Sequence, residues 1–234
     1  MAASIAADDT TLIESVTARL AFFRGVARKD ARAAMRGARI VRARRGEWLT
    51  RRSEMMPGIF AVVQGMVKVA LRHAGGAERV LRFVGPSETF GEAAVLLARP
   101  SAVDAVALTD CTVVILPATA VRALAARDAR FSGIFARVLA ERMLTLLAEL
   151  ESSELRPAAE RLAAYLLTLA QPGNGRPSTA RLPTTKTLVA SRLGMKKETL
   201  SRLLHDFVSR RVIEVSRRDI AILDPEMLAE IARR

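Results

Sequence analysis

The sequence predicts an α+β protein with an N-terminal β-roll, a long dimerisation helix and a C-terminal winged helix-turn-helix domain. Three observations predict this fold. Short β-type runs broken by glycines fill Arg39 to Glu92, an apolar stripe extends from Phe131 to Leu150, and a cap, a turn glycine and helical spacing follow one another between Thr184 and Phe207. We expect three segments, namely N-terminal helices with the roll over 1–127, the dimerisation helix over 128–155 and the DNA-binding domain over 156–234.

The chain of 234 residues carries 37 Lys and Arg against 24 Asp and Glu, a net charge of +13. This balance favours an anionic partner, and double-stranded DNA is foremost among such partners. Cys111 is the only cysteine, which excludes a disulfide framework, a multi-cysteine zinc site and a four-thiolate iron–sulfur cluster. With no secretory signal pattern and no uncharged apolar run of spanning length, we expect a cytoplasmic protein with no membrane partner.

Two short helices and a set of strands are predicted before the long helix. Apolar residues at helical spacing predict helices over Thr10 to Phe23 and Asp30 to Met35. β-type runs cover Ile59–Val63 and Met66–Leu71, and a further strand pair is expected between Ala102 and Leu116. Strands this short, punctuated by glycines at the turns, indicate a small roll or barrel.

The apolar stripe of the long helix predicts self-association. Its apolar side chains recur at steps of three and four, which puts them on one face over about five turns. A small roll covers only part of such a face, so we expect a homodimer, with packing inside the same chain as the alternative. The residues assigned to the dimer seam are Phe131, Phe135, Val138, Leu139, Leu146 and Leu150.

The pattern from Thr184 to Phe207 is typical of a helix-turn-helix. Thr184 or Thr185 can cap a first helix, Gly194 supplies the turn, and a second helix is predicted over about Lys197 to Phe207. A recognition helix presents its N-terminal outer face to base edges in the major groove. The residues predicted on that face are Lys196, Lys197, Glu198, Ser201 and Arg202, with Thr185 as a further DNA contact.

The charges around this motif fit the same interpretation. Residues 181–218 hold ten Lys and Arg against three Asp and Glu, as expected of a phosphate-binding face. Two β-type runs, Val212–Val215 and Ile220–Leu223, flank a basic tip. We interpret them as a hairpin wing whose Arg217 and Arg218 contact phosphate.

The sequence resembles the CRP/FNR superfamily of bacterial transcription regulators. The resemblance is carried by the block Phe90–Leu96 and by Gly194–Arg202, whose Glu-x-x-Ser-Arg pattern looks like an FNR-type recognition helix. It implies that Glu198, Ser201 and Arg202 read a TTGAT-like palindrome, with RNA polymerase as a partner and activation as the expected role. The stretch Leu162–Leu169 and the end of the wing look most like the nitric-oxide and denitrification branch called DNR.

The resemblance also implies an effector site in a cyclic-nucleotide-binding-like roll. Gly91 and Glu92 match the pair that binds the ribose, but the expected phosphate-binding arginine is missing, since Pro100, Ser101 and Ala102 occupy that region and Arg99 comes early. A buried phosphodiester would lack its bidentate partner, which argues against cyclic AMP. The predicted pocket comprises Gly91, Glu92, Arg99, Ser101, Met143, Leu146 and Leu147.

Heme is the competing effector, because relatives in this family hold one between the roll and the dimer helix. The candidate axial ligand is His73, since His205 lies on the recognition helix. The function predicted first is an effector-responsive dimeric regulator. The alternatives are an effector-independent DNA-binding protein whose roll is a scaffold, and a true cyclic-nucleotide receptor. No catalytic triad, paired-carboxylate motif or P-loop is present, so we do not expect an enzyme.

Overall fold

The computed structural model describes residues 7–72, 78–172 and 177–233. The chain divides into two compact units, 1–144 and 145–234. Among the helices within the described ranges, none is both long enough and apolar enough to cross a bilayer.

The first unit begins with helices and contains two four-stranded antiparallel sheets. Its helices are α1 (Ala7–Arg19), a 3-10 turn (Ala21–Phe23), α2 (Arg28–Met35), α3 (Glu92–Leu97) and α4 (Ala118–Arg127). Its strands are β1 (Arg39–Ala43), β2 (Trp48–Thr50), β3 (Gly58–Gln64), β4 (Val67–Arg72), β5 (Glu78–Val84), β6 (Thr89–Phe90), β7 (Asp104–Ala107) and β8 (Cys111–Pro117). The strand orders are β1-β8-β3-β6 and β2-β7-β4-β5. The predicted roll is confirmed, but β7 and β8, expected between Ala102 and Leu116 as a strand pair, belong to different sheets.

Glycines permit the close approaches that the roll requires. Gly65, between β3 and β4, has a φ of +91°, and a Cβ there would lie 2.4 Å from the carbonyl oxygen of Asp110. A Cβ on Gly58 would lie 1.9 Å from the carbonyl oxygen of Leu116 on the neighbouring strand. Only glycine fits such positions without moving the backbone.

The long helix α5 (Ala129–Leu155) forms where the stripe predicts it. The assignment of Phe131 and Phe135 to a dimer seam is wrong, because their side chains are 0% and 2% exposed within the single chain. Both rings pack against Phe22 of the 3-10 turn, with centroids 6.1 and 5.0 Å away. The N-terminal turns of α5 therefore belong to the core of the first unit, together with the partly buried Leu139.

The second unit consists of helices and a small sheet. Its helices are α6 (Ala158–Leu169), α7 (Lys186–Arg192), α8 (Lys197–Ser209) and α9 (Pro225–Arg233). Its strands are β9 (Ala170–Gln171), β10 (Thr179–Arg181), β11 (Ile213–Ser216) and β12 (Asp219–Ile222), in the order β11-β12-β10-β9. The predicted helix-turn-helix and wing are confirmed. The stretch from Gln171 to Pro183 has the prolines and glycines of a loop, yet β10 and the end of β9 lie in it and join the sheet of the wing.

Candidate nucleic-acid interface and effector site

Helix α8 has one buried and one exposed face. Leu200, Leu204 and Phe207 are 0%, 3% and 0% exposed in the core of the second unit. Their spacing of four and three residues fixes the rotation of the helix about its axis. The opposite face at the N-terminal end is exposed, and it holds Lys196, Lys197, Glu198, Ser201 and Arg202. The structure thus brings the five residues predicted to read DNA onto one surface.

An arginine of α6, which the sequence analysis did not predict, forms hydrogen bonds to the turn before α8. Arg161 of α6 donates from Nε to the carbonyl oxygen of Leu193 (3.0 Å) and from Nη2 to that of Gly194 (3.4 Å). Gly194 has a φ of +62°, the left-handed conformation that the turn needs. Arg161 therefore positions the recognition helix by satisfying the carbonyls that end α7. Its signal in the sequence is a charged residue directly before the buried Leu162.

Helix α7 begins as predicted, but its cap differs. Thr185 occupies the N-cap position and is exposed, and its side chain makes no capping hydrogen bond. Its hydroxyl is therefore available to a ligand at the start of α7. Behind this helix, burial raises the pKa of Tyr165 to about 12, while the Arg192 guanidinium acts in the opposite direction. The Tyr165 phenol accordingly stays neutral at physiological pH.

The wing presents its basic tip to solvent. Ser216 pairs with Asp219, so Arg217 and Arg218 form the two-residue turn between β11 and β12. Both arginines are exposed, and Arg217 has a φ of +55°. The carbonyl oxygen of Arg218 accepts from the backbone N–H of Leu182 (2.9 Å), which ties the tip to the chain before α7. This hydrogen bond uses only the backbone of Arg218, so the side chains of Arg217 and Arg218 both remain exposed to solvent.

The predicted effector site centres on a buried carboxylate that already has an intrachain partner. Glu92 is 4% exposed, and its Oε1 makes an ion pair with Nη1 of Arg142 on α5 but no hydrogen bond. Arg142 Nη2 donates to the hydroxyl of Thr89 (3.0 Å). Arg142 was not predicted. Its signal is a charge inside the apolar stripe of the long helix, between Leu139 and Leu146.

The other predicted pocket residues do not converge on Glu92. The hydroxyl of Ser101 donates to the carbonyl oxygen of Val103 (2.7 Å), which closes it on its own turn, and Arg99 is exposed. Within the described part of the chain, neither makes a hydrogen bond or ion pair with the Glu92 carboxylate. The assignment of Ser101 and Arg99 to one pocket with Glu92 therefore finds no support in the geometry. Gly91 precedes Glu92 with a φ of +92° and starts α3.

Three pocket residues on α5 are exposed in the single chain. Met143, Leu146 and Leu147 are 56%, 42% and 52% exposed, and Leu150 is 58% exposed. These side chains line no enclosed cavity. They form an uncovered apolar surface, which suits association with another apolar surface better than it suits a small-molecule pocket.

Two sulfur groups that could act as axial heme ligands are engaged in hydrogen bonds within the roll. Cys111 Sγ donates to the carbonyl oxygens of Met66 (3.3 Å) and Thr109 (3.1 Å). The buried Met56 Sδ accepts from the Thr50 hydroxyl (3.3 Å), so the cysteine and this methionine are both engaged. The proposed ligand His73 lies outside the described residues.

The Glu92–Arg142 pair predicts an asymmetric effect on stability. Arg142→Gln leaves the Glu92 carboxylate buried without a counter-charge and should lower the free energy of unfolding by about 3 kcal/mol. Adding Glu92→Gln to Arg142→Gln should restore most of that loss, because no buried charge remains. Urea unfolding of the wild type, Glu92→Gln, Arg142→Gln and the double variant gives the four free energies of unfolding that this double-mutant cycle needs. Equal losses in Arg142→Gln and in the double variant would show that the ion pair does not form.

Comparison with known proteins agrees with this architecture. A family model described as a cyclic nucleotide-binding domain matches residues 40–128, and one described as a Crp-like helix-turn-helix domain matches residues 160–231. The fold is similar to that of FixK2 from Bradyrhizobium japonicum, with a TM-score of 0.74 at 19% identity, covering 84% of this chain and 98% of that one.

Two curated relatives extend the similarity to sequence. The cyclic AMP receptor protein of Thermus thermophilus is 30% identical over 174 residues, which are 74% of this chain and 79% of that protein. The CRP-like cAMP-activated global transcriptional regulator of Mycobacterium tuberculosis is 28% identical over 224 residues, which are 94% of this chain and all of that protein. With both domain models matched, the chain belongs to the CRP/FNR family of DNA-binding transcriptional regulators.

Proposed function

We propose that this regulator acts as a homodimer that reads a TTGAT-like palindrome in double-stranded DNA. The observation that carries the proposal is the exposed N-terminal face of α8, which holds Glu198, Ser201 and Arg202 one helical turn apart. Arginine can donate two hydrogen bonds to guanine O6 and N7, and a carboxylate can accept from the amino group of cytosine. Arg202 and Glu198 can together address one guanine and a cytosine on the opposite strand.

The wing residues have a different role in this proposal. Arg217 and Arg218 lie at the tip of the hairpin, where two mobile cationic groups suit phosphate oxygens rather than base edges. Phosphate contacts fix the position of the protein on the duplex without selecting a sequence. Arg217 therefore serves as a matched control for Arg202, since both are exposed arginines of the same unit.

Arg202→Ala should cost about 1–3 kcal/mol of binding free energy on a TTGAT–ATCAA palindrome and relax the preference at one base pair per half-site. Arg217→Ala should weaken binding to every duplex alike and lower the salt slope by about one. Equilibrium binding to the palindrome and its single-base variants, at two salt concentrations, separates these outcomes. If Arg202→Ala loses the same affinity for the palindrome and for each of its single-base variants, α8 does not read bases and the proposed half-site is wrong.

The homodimer rests on the exposed apolar face of α5. Leu139, Met143, Leu146 and Leu150 follow one another at steps of four, three and four, the spacing of a two-helix seam. The last three are each more than 40% exposed in the single chain. Two copies pairing along this seam would cover it, and two recognition helices would then meet half-sites about one helical turn apart.

Leu146→Lys combined with Leu150→Lys should convert the protein to a monomer, because two charges per helix would face each other in an apolar seam. Sedimentation equilibrium measures the change. Leu97→Lys is the matched control, since Leu97 is 63% exposed but lies on α3. An unchanged dimer in the double variant would place the interface elsewhere.

The effector proposal places ligand response at the Glu92–Arg142 pair. A small molecule that accepts from Arg142 or donates to Glu92 would compete with the pair and so act on the helix that carries the seam. The intrachain pair also favours the alternative of an effector-independent regulator, because the buried carboxylate is already neutralised without a ligand. No observation singles out the DNR branch or heme, and neither enters this mechanism.

Cyclic AMP should not raise DNA affinity, since the Ser101 hydroxyl already donates to the carbonyl oxygen of Val103 in its own turn. DNA titrations with and without saturating cyclic AMP test this expectation. A tenfold or larger rise in affinity would contradict it, and loss of that rise in Arg142→Gln would assign the cyclic phosphate to Arg142.

A further inference from the structure

The densest positive charge of the chain lies outside the helix-turn-helix. Residues 19–52, all of which the structure describes, hold 12 Lys and Arg against two Asp and Glu, a net charge of +10. Residues 181–218 carry +7. All 12 cationic side chains of this N-terminal basic stretch are exposed. Among the described residues, only Arg32 of these 12 forms an ion pair, with Glu14 at 3.3 Å.

The neighbouring carboxylates bind the backbone of the basic stretch rather than its side chains. Asp110 Oδ1 accepts from the backbone N–H of Arg45 (2.9 Å), and Asp104 Oδ1 accepts from that of Arg52 (2.8 Å). Glu47 does the same for the adjacent turn. The acids thus hold the turns around β2 in place while the guanidinium groups remain free to meet an anionic ligand.

The composition of this surface fits phosphate better than protein. No large apolar side chain within residues 19–52 is exposed. Protein interfaces have an apolar core, whereas a phosphate backbone needs only well-placed cations. The half-buried Trp48 ring lies against the guanidinium group of Arg51 at 4.4 Å and against that of Arg72 of β4, outside the stretch, at 4.8 Å. Stacking of this kind restrains an arginine before it binds.

The cations are spread along a helix and an edge strand. Arg28 and Arg32 lie four residues apart on α2, which separates them by about 6 Å along the helix axis, and Arg36 follows directly after the end of the helix. Arg39 and Arg42 follow on β1, the outer strand of its sheet. Cations repeated at this density suit a duplex, in which both strands together carry a charge about every 1.7 Å.

We infer that the N-terminal basic stretch is a second DNA-contacting surface, which binds the phosphates of duplex DNA without sequence preference. The inference rests on the proposed function, since α8 brings duplex DNA to the protein and raises its effective concentration at a second surface. Binding at two surfaces would strengthen association with long duplexes more than with a minimal site. Eleven of the 12 cations are arginine, the side chain that binds phosphate in bidentate geometry.

The test compares two pairs of exposed arginines in the full chain. Arg39→Gln with Arg42→Gln removes two cations of the basic stretch, and Arg99→Gln with Arg137→Gln removes two exposed cations elsewhere in the first unit. Each is titrated with a minimal palindromic duplex of about 20 base pairs and with a scrambled duplex about three times longer. Against the scrambled duplex, the first pair should bind at least several-fold more weakly, with a salt slope lower by about one to two.

The control pair should bind both duplexes as the wild type does. A second variant, Arg28→Gln with Lys29→Gln on α2, should reproduce the loss, and thermal unfolding verifies that each variant is folded. If the Arg39/Arg42 and Arg28/Lys29 variants both bind the scrambled duplex like the wild type, the inference is overturned and an acidic protein becomes the candidate partner. If the wild type shows no preference for the palindrome but both arginine variants still bind the scrambled duplex more weakly, the proposed palindrome is wrong and the second DNA-contacting surface is supported.

Discussion

Burial of one face of α8 determines what the second unit can present to a ligand. Leu200, Leu204 and Phe207 leave the helix a single orientation about its axis, because rotating it would expose three large apolar side chains. Their burial contributes roughly 1.5–3 kcal/mol for each side chain. The polar face is thereby directed outward, and Arg161 holds the preceding turn through two carbonyl oxygens. The core thus sets the rotation of α8, and the residues proposed to read bases lie on the face that this rotation leaves exposed.

Helix α5 satisfies two requirements with one apolar stripe. Its first turns pack Phe131 and Phe135 into the core of the roll, while the later Leu146 and Leu150 remain exposed. The apolar periodicity of α5 is the same along its length. The stripe alone therefore does not show which turns of the helix pack against the roll and which remain exposed. The partner is set by the 3-10 turn at Ala21–Phe23, whose rings lie against the first half of the stripe. The proposed dimer seam is therefore confined to the portion of the stripe that this turn leaves uncovered.

Local sequence patterns predicted the helices and strands, whereas contacts between residues far apart in the sequence determine the partners of the candidate site residues. Helices α5 and α8, the strand β3 and the wing follow from residue spacing and turn chemistry, which act over a few residues. The Glu92–Arg142 pair joins residues fifty positions apart, so no local rule indicates it. Ser101 was assigned to a ligand from its place in the sequence, yet its hydroxyl is bound two residues away. The strands β9 and β10 lie in a stretch rich in proline and glycine, and pairing with β12 overrides that composition.

The Glu92–Arg142 pair also constrains how any effector could act. A ligand that merely fits beside Glu92 changes nothing unless its affinity differs between two states of the protein. Breaking a buried ion pair costs several kcal/mol, so an effector must supply a replacement partner to each charge that it separates. Arg142 of α5 pairs with Glu92, and in the sequence it lies between Leu139 on one side and Met143 and Leu146 on the other. In the proposed dimer, an effector that recruits Arg142 would therefore act on the helix that carries the seam, and ligand binding would be coupled to helix pairing.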